Sequence, residues 1–361
     1  MRVLVVTGAS GGHIFPAVSF IQALKEKLKD VDTLLVLPGR SLKSGIALND
    51  CNVRYTSTLA VSLKISSANL IAAGMFIKGI WESLIIILKF KPDIVVGFGT
   101  LESAPCLFFS WIFRIKTLIH EQNVLPGRAN RLMAHFADRC AVSFLKTKDY
   151  LNINRQKLAL TGNPLRKSLK IIDQVQALNL LGLSKDKFTL LVMGGSQGSR
   201  NINTGFLRAV SLLKNAGAIQ VIHLAGAGSL EEIKQAYARM NISARVFDFF
   251  NQMEQAYSAA DLVISRAGAT TVSELIYFKL PAIISPYPYA YAHQLENAKV
   301  LKEKGCAVLI MDEELDKDIF VSALESIINN REKLKAMCSG FAELSVLKAD
   351  DLLVEAALAL K

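Results

Sequence analysis

Short apolar runs of four or five residues alternate along the whole chain with longer stretches in which apolar residues recur every three or four positions. Runs of the first kind suit strands, and stretches of the second kind place an apolar face on a helix. In the first half the pattern predicts strands over 3–7, 33–37, 94–97, 117–120 and 140–143, with helical periodicity over 16–28 and 128–135. In the second half it predicts strands over 189–193, 220–224, 262–265, 282–285 and 307–310, separated by helices over 201–213, 230–238, 271–278 and 293–303. Strands that alternate with helices in this way form parallel sheets covered by helices. The expected class is α/β, built as two Rossmann-like, doubly wound halves. The break between them falls near 161–166 (TGNPLR), where a Gly-Asn-Pro turn follows the last strand of the first half. Three helices, over 318–329, 331–344 and 349–360, then end the chain with no strand left to pair.

Composition narrows the class without changing it. With 361 residues, 51% apolar and 20% charged, the chain can fill two cores, which excludes a disordered tail, a collagen and a disulfide miniprotein. Five scattered cysteines, none in a C-x-x-C pair, suggest neither a bridge framework nor a thiolate metal site, and fit a reducing cytoplasm. The opening MRVLVVTG leads into a glycine turn and reads as a buried strand rather than an export signal.

Charge is uneven. Residues 1–165 carry 20 Lys+Arg against 10 Asp+Glu, whereas residues 166–361 carry 22 against 21. A basic first half suits an anionic membrane surface, or simply solubility. Nucleic acid is not expected as a partner, because the basic residues are dispersed singly and no aromatic RNP-like pattern accompanies them. The stretch 70–90 (LIAAGMFIKGIWESLIIILKF) is long enough to span a bilayer but places Lys78 and Glu82 near its middle, an i, i+4 pair that costs several kcal/mol to insert. Two readings remain: a core helix, or an interfacial helix that dips Met75, Phe76 and Trp81 into a bilayer. The shorter apolar run 105–113 is expected to pack in the core.

Three glycine turns follow strands, and each can aim backbone N–H groups and a helix N-terminus at an anion. The first, Gly8-Ala-Ser-Gly-Gly-His13, runs into a helix with Pro16 near its start. It is not G-x-G-x-x-G, and the second strand lacks a terminal acidic residue for a ribose, so a nicotinamide enzyme is disfavoured. The second is Gly97-Phe-Gly-Thr-Leu-Glu-Ser-Ala-Pro105. The third, Met193-Gly-Gly-Ser-Gln-Gly198, lacks the Lys-Ser/Thr ending of a P-loop. His120-Glu121-Gln122-Asn123 sets four polar side chains at a strand end, and Arg266-Ala-Gly-Ala-Thr-Thr-Val-Ser-Glu274 opens a helix whose carboxylate can accept both hydroxyls of a ribose diol or merely counter the helix dipole. His293-Gln294 begin a further helix.

The stretches GASGGHIFPA (8–17), HEQNVLPGRANR (120–131), TGNPLR (161–166), GGSQGSRNIN (194–203), RAGATTVSE (266–274) and HQLENA (293–298) make the chain resemble the MurG family, membrane-associated N-acetylglucosaminyltransferases that convert lipid I to lipid II in peptidoglycan synthesis. The resemblance spans nearly the full length. It implies a GT-B fold with two domains facing a cleft: 1–163, plus a returning C-terminal helix at about 346–361, for the lipid-linked acceptor and the membrane, and 164–345 for UDP-GlcNAc. It implies inverting transfer to the C4 hydroxyl, at the cytoplasmic face of the plasma membrane, beside other cell-wall and division proteins. UDP-GlcNAc is a substrate here, no cofactor is implied, and the proposed chemistry needs no metal.

Carried onto this chain, the resemblance places Ser10, Gly11 and Gly12 beside the reacting sugar and acceptor diphosphate, and Asn123 on the GlcNAc. Arg166 and Ser196 hold the donor and its diphosphate. Phe250 sits where backbone recognises uracil, and Ala269, Thr270 and Thr271 approach the diphosphate at a helix N-terminus. Glu274 grips the ribose, and His293 or Gln294 binds the sugar. The expected general base is His13, with Glu121 its rival and more suited to orienting its neighbours. The chain departs from the family in its second glycine turn, where Thr100, Leu101 and Ala104 replace a glycine-rich, aromatic-bearing sequence. A different glycolipid glycosyltransferase, a UDP-sugar epimerase or a silent UDP-sugar-binding scaffold would share the donor motifs.

Overall fold

The computed structural model describes residues 1–39, 48, 51–58, 67–195, 198–289, 292–344 and 346–361, with the backbone alone over 67–73. It divides into two compact units, Met1–Arg166 with Leu347–Lys361, and Lys167–Val346. The first unit runs β1 (Arg2–Val6), α1 (Gly11–Lys27), β2 (Asp32–Pro38), β3 (Asn52–Thr56), α2 (Ser67–Phe90), β4 (Ile94–Gly97), α3 (Ala104–Ile112), β5 (Lys116–Glu121), α4 (Arg128–Phe136), β6 (Arg139–Val142) and β7 (Leu158–Leu160). The second holds α5 (Gln174–Leu180), β8 (Phe188–Met193), α6 (Arg200–Ser211), β9 (Ile219–Leu224), α7 (Leu230–Arg239), β10 (Ser243–Phe247), α8 (Met253–Ala259) and β11 (Leu262–Ser265). It continues through α9 (Ala269–Phe278), β12 (Ala282–Ile284), α10 (His293–Lys302), β13 (Ala307–Leu309), α11 (Asp318–Ile328) and α12 (Arg331–Ser339). The last helix, α13 (Ala349–Leu358), belongs to the first unit.

Each unit is built on one parallel sheet. The strand orders are β3-β2-β1-β4-β5-β6-β7 and β10-β9-β8-β11-β12-β13. In β1 the side chains alternate between two buried layers, as the pleat demands. Val3 and Val5 face a core shared with Phe20 and Leu24 of α1 and Leu353 and Val354 of α13. Leu4 and Val6 face another, shared with Ile87 of α2, Leu107 of α3 and Met133 of α4. Each such side chain contributes about 1.5–3 kcal/mol on burial, so the central strands are where the chain reads most apolar. The second sheet packs Leu190 and Val192 against Phe206 of α6, Tyr237 of α7 and Phe320 of α11.

The strands that periodicity misses are β3, β7 and β10, and all three are sheet edges. Edge strands face solvent, so NVRYT and SARVF carry polar and half-exposed positions instead of an apolar run. The last strand of the first unit is therefore β7, not the run at 140–143. The helix after the first glycine turn begins at Gly11, which puts Pro16 inside α1 rather than in its first turn, where it supplies no N–H to the Gly12 carbonyl.

The apolar run at 105–113 does not simply pack in the core. It forms α3, whose Cys106, Leu107 and Ser110 are buried while Phe108, Trp111 and Ile112 stand 43–48% exposed. Nor is α2 a core helix. Gly79, Ser83 and Ile87 make a narrow buried stripe, while Ile77, Trp81, Ile85 and Leu88 are 47–64% exposed. Met75 is exposed and Phe76 half-buried. Gly79 is required where α2 crosses the chain after β3, since a Cβ there would lie 2.7 Å from the Thr58 nitrogen. Glu82 is turned toward that same chain, accepting from the Ser57 hydroxyl at 2.9 Å, with Lys78 at 3.7 Å.

Candidate functional site

In a doubly wound sheet, ligands gather at the carboxyl ends of the strands where the winding reverses. The first sheet reverses between β1 and β4, and the second between β8 and β11. The glycine turns of the sequence lie at these two places. The first follows β1 and the second follows β4; the third follows β8, and the Arg266–Gly268 turn follows β11.

At the first reversal, α1 starts with Ser10 as N-cap, and the Ser10 side chain makes no capping bond and no acidic residue occupies the first turn. Gly11, Gly12 and His13 are thus the first three residues of a helix whose N-terminal dipole its own residues do not neutralise. The His13 Nδ1 lies 2.8 Å from the Phe98 carbonyl. A carbonyl only accepts, so Nδ1 carries a proton, and in the neutral ring Nε2 then holds the lone pair, the arrangement a general base needs. Gly99, at φ +80°, holds the left-handed conformation that favours glycine, and a Cβ there would lie 3.2 Å from Asn130 Nδ2 and touch the His13 ring at 3.5 Å.

Thr100 follows at φ 70° and ψ 155°, a region nearly reserved for glycine. Its hydroxyl would lie 2.8 Å from a Cβ at Gly8, so the first and second turns interlock through it. Arg166 belongs to this unit as well; its guanidinium lies 4.6 Å over the Phe15 ring, and that ring packs against Gly11. A fixed positive charge therefore stands beside the first turn.

The β5 end is organised by Glu121, which is buried. One carboxylate oxygen accepts from the Asn123 N–H at 2.8 Å and Asn123 Nδ2 at 3.2 Å. The other accepts from the Gly127 N–H at 3.0 Å and Asn130 Nδ2 at 2.9 Å. A carboxylate with four donors orients a loop and is poorly placed to take a proton. Gln122 donates to the Phe98 carbonyl at 3.2 Å, the same oxygen that His13 uses. His120 is wholly buried, and burial lowers its pKa to about 4 against the opposing bond to the Gly162 carbonyl, so it stays neutral and ties β5 to the turn at 162.

At the second reversal, α9 begins with Gly268 as N-cap and Ala269, Thr270 and Thr271 as its first turn, again with no acidic residue. Glu274, one turn on, is buried and accepts from the Tyr257 hydroxyl at 2.7 Å. Arg266, 7% exposed, holds the strand ends together. It pairs with Asp312 at 2.5 Å and donates to the Ser199 hydroxyl at 2.8 Å and to the Ser285 carbonyl and hydroxyl at 3.2 Å. The Gln294 amide oxygen accepts from the backbone of Ala267 at 3.2 Å and of Tyr287 at 2.9 Å, so any sugar contact from Gln294 comes from its nitrogen. His293 is the half-buried first residue of α10. Phe250 follows β10, and its ring packs, tilted, against Phe247 with centroids 4.4 Å apart. Ser196 lies outside the described residues.

Sequence reasoning passed over three asparagines that do the same job. Asn130 of α4, Asn203 of α6 and Asn297 of α10 each donate to the backbone carbonyl of a strand end or turn: His120 at 3.1 Å, Ala225 at 2.9 Å and Ala267 at 3.1 Å. Each sits on the buried stripe of its helix, beside Met133, Ile202 and Ala298. A polar residue on an otherwise apolar stripe is the signal that could have found them. Arg266 and Tyr257 gave no such signal, since a strand-end arginine and a helical tyrosine are ordinary. Among the described residues no group of three His, Cys, Asp or Glu side chains is placed to hold a metal ion.

The chain is similar to known proteins along its length. The glycosyltransferase family 28 N-terminal domain matches residues 3–142 and the family 28 C-terminal domain matches residues 189–353. A UDP-N-acetylglucosamine–N-acetylmuramyl-(pentapeptide) pyrophosphoryl-undecaprenol N-acetylglucosamine transferase of Desulforamulus reducens is 35% identical over 353 residues, covering 95% of this chain and 94% of the relative. The protein of the same description from Thermodesulfovibrio yellowstonii is 35% identical over 345 residues, covering 93% and 92%. Among solved structures, Acinetobacter baumannii MurG superposes with a TM-score of 0.76 at 22% identity, covering 99% of each chain.

Proposed function

The chain belongs to the MurG family within glycosyltransferase family 28, and from that premise we propose how its residues carry out the family's transfer of N-acetylglucosamine. Its two parallel-sheet units are those of the GT-B fold. The enzyme moves GlcNAc from UDP-GlcNAc to the N-acetylmuramyl-pentapeptide carried on undecaprenyl diphosphate, yielding lipid II. The observation that carries this reading is identity of 35% sustained over 95% of the chain with a transferase of that description. The test is transfer to a lipid-linked muramyl-pentapeptide against its 4-deoxy analogue: one added N-acetylhexosamine on the first and none on the second. Equal labelling of both would overturn the choice of hydroxyl.

In the proposed mechanism the acceptor belongs to the first unit and the donor to the second. His13 Nε2 takes the proton of the C4 hydroxyl as its oxygen attacks the anomeric carbon from the face opposite UDP, which inverts that centre. Glu121 acts by fixing Asn123, which meets the GlcNAc, and Gly127, which starts α4. Charge that builds on the departing phosphate falls at the N-terminus of α9, on the N–H groups of Ala269, Thr270 and Thr271 and the threonine hydroxyls. The acceptor diphosphate meets Ser10, Gly11 and Gly12; Arg166, expected on the donor, belongs instead to the first unit with its guanidinium over Phe15, and in this scheme it faces the acceptor diphosphate. Glu274 takes the ribose diol, the backbone near Phe250 the uracil, and His293 and the Gln294 nitrogen the sugar. This scheme assigns no step to a metal ion.

Attachment to the membrane is proposed through the first unit. The exposed faces of α2 and α3 present Trp81, Ile85, Phe108 and Trp111, and Trp111 lies 5.0 Å from Phe136 of α4. Arg128, Arg131 and Lys89 lie on the same helices. Apolar and aromatic side chains among cations suit a peripheral seat on an anionic leaflet at the cytoplasmic face, where the lipid-linked acceptor resides. Among the described residues no helix is long and apolar enough to cross a membrane.

A further inference from the structure

We propose that Tyr257 is a positioning residue for nucleotide recognition: its hydroxyl sets the Glu274 carboxylate in the orientation that grips the ribose diol. The inference rests on the reading of Glu274 as the ribose ligand and deepens it. Glu274 is a carboxylate at 6% exposure, and a buried carboxylate holds a defined orientation only when hydrogen bonds fix it. The Tyr257 hydroxyl donates to its Oε2 at 2.7 Å, a short charge-assisted bond.

The tyrosine is itself immobilised. Its ring, 1% exposed, stacks on Phe278 with centroids 5.0 Å apart and planes 29° from parallel. Phe278 lies four residues beyond Glu274 on the same face of α9, so one ring braces against the helix that carries the carboxylate it holds. The hydroxyl also lies 3.7 Å from the Met193 sulfur at the end of β8. α8 thus connects the end of β8 to the ribose-binding turn of α9. A phenylalanine would keep the ring, the stack and the burial and would lose the bond to Glu274 together with the weak hydroxyl contact to the Met193 sulfur.

The test is calorimetric binding of UDP and of 2′,3′-dideoxy-UDP to the full-length wild type, Tyr257→Phe and Glu274→Gln. The wild type is expected to prefer UDP, and Glu274→Gln to lose that preference. Tyr257→Phe is expected to bind UDP about tenfold more weakly while its affinity for the dideoxy nucleotide stays within about twofold of wild type. Equal weakening toward both nucleotides would assign Tyr257 a general structural role and overturn the proposal, as would unchanged UDP binding. Discrimination that survives in Glu274→Gln would overturn the reading of Glu274 itself, and the proposal with it.

Discussion

Replacing Glu121 by glutamine separates two roles that a carboxylate at this position could have. The side chain accepts four bonds, two on each oxygen: Asn123 N–H and Nδ2 on one, Gly127 N–H and Asn130 Nδ2 on the other. Glutamine keeps one acceptor oxygen and turns a donor NH₂ toward the other pair of N–H groups, whichever way the amide is placed. Two bonds to a charged acceptor are then lost, each worth about 1.5–3 kcal/mol, at a buried side chain. After some relaxation of the loop the expected loss is about 3–5 kcal/mol, measured as a shift of the urea midpoint at unchanged slope. Turnover is expected to fall because Asn123 and the start of α4 lose their places, while the pH dependence of the surviving rate keeps its form. A variant as stable as wild type, whose rate no longer falls on the acid side, would make Glu121 the base and refute the reasoning.

Other expectations follow from the same geometry. Burial holds His120 at about 4 and His223 at about 3, both below the ~6.5 of an unfolded histidine. The unfolded chain therefore gains protons first, so stability is complete above about pH 7 and falls as pH drops from 6.5 toward 4, by about 1.4 kcal/mol per pH unit for each histidine. Urea midpoints between pH 7.5 and 5 check this, with a smaller slope in His223→Gln; flat midpoints would contradict it. Gly99→Ala places a Cβ at φ +80°, 3.5 Å from the His13 ring, and is expected to lose more than about 1 kcal/mol and to lower turnover, read from thermal melts and initial rates. Trp81→Lys with Trp111→Lys is expected to lower partition into anionic vesicles on the order of a hundredfold, since each ring contributes about 1.5–3 kcal/mol when buried, while UDP affinity is unchanged. Undiminished sedimentation with vesicles would remove those helices from the membrane contact.

The central strands were legible because they are buried on both faces, and IVVG at 94–97 and LVIS at 262–265 match the observed β4 and β11 residue for residue. β3 and β10 escaped because a sheet edge needs no apolar run, and β7 because its three residues, LAL, are too short to stand out. Helix α3 was visible as apolar, but a count of apolar residues does not say which face meets the core, and half of its aromatic surface faces out. The turns at the two reversals could be read from glycine spacing, because close backbone approach leaves that mark. The bonds that brace the turns could not. The place of Asn130, Asn203 and Asn297 on an apolar stripe could have marked them as buried, but spacing along the chain does not name the partners that they, Arg266 and Tyr257 reach.

The most direct measurement is mass detection of the product formed by purified protein from UDP-GlcNAc and a short-chain lipid I analogue, with divalent metal chelated, alongside His13→Ala. The wild type is expected to add one N-acetylhexosamine to the acceptor, and His13→Ala to do so more slowly by about 10²–10⁴ while still binding UDP. Donor binding without any product from the wild type would contradict the transferase assignment, and a His13→Ala enzyme with near-normal turnover would contradict the base.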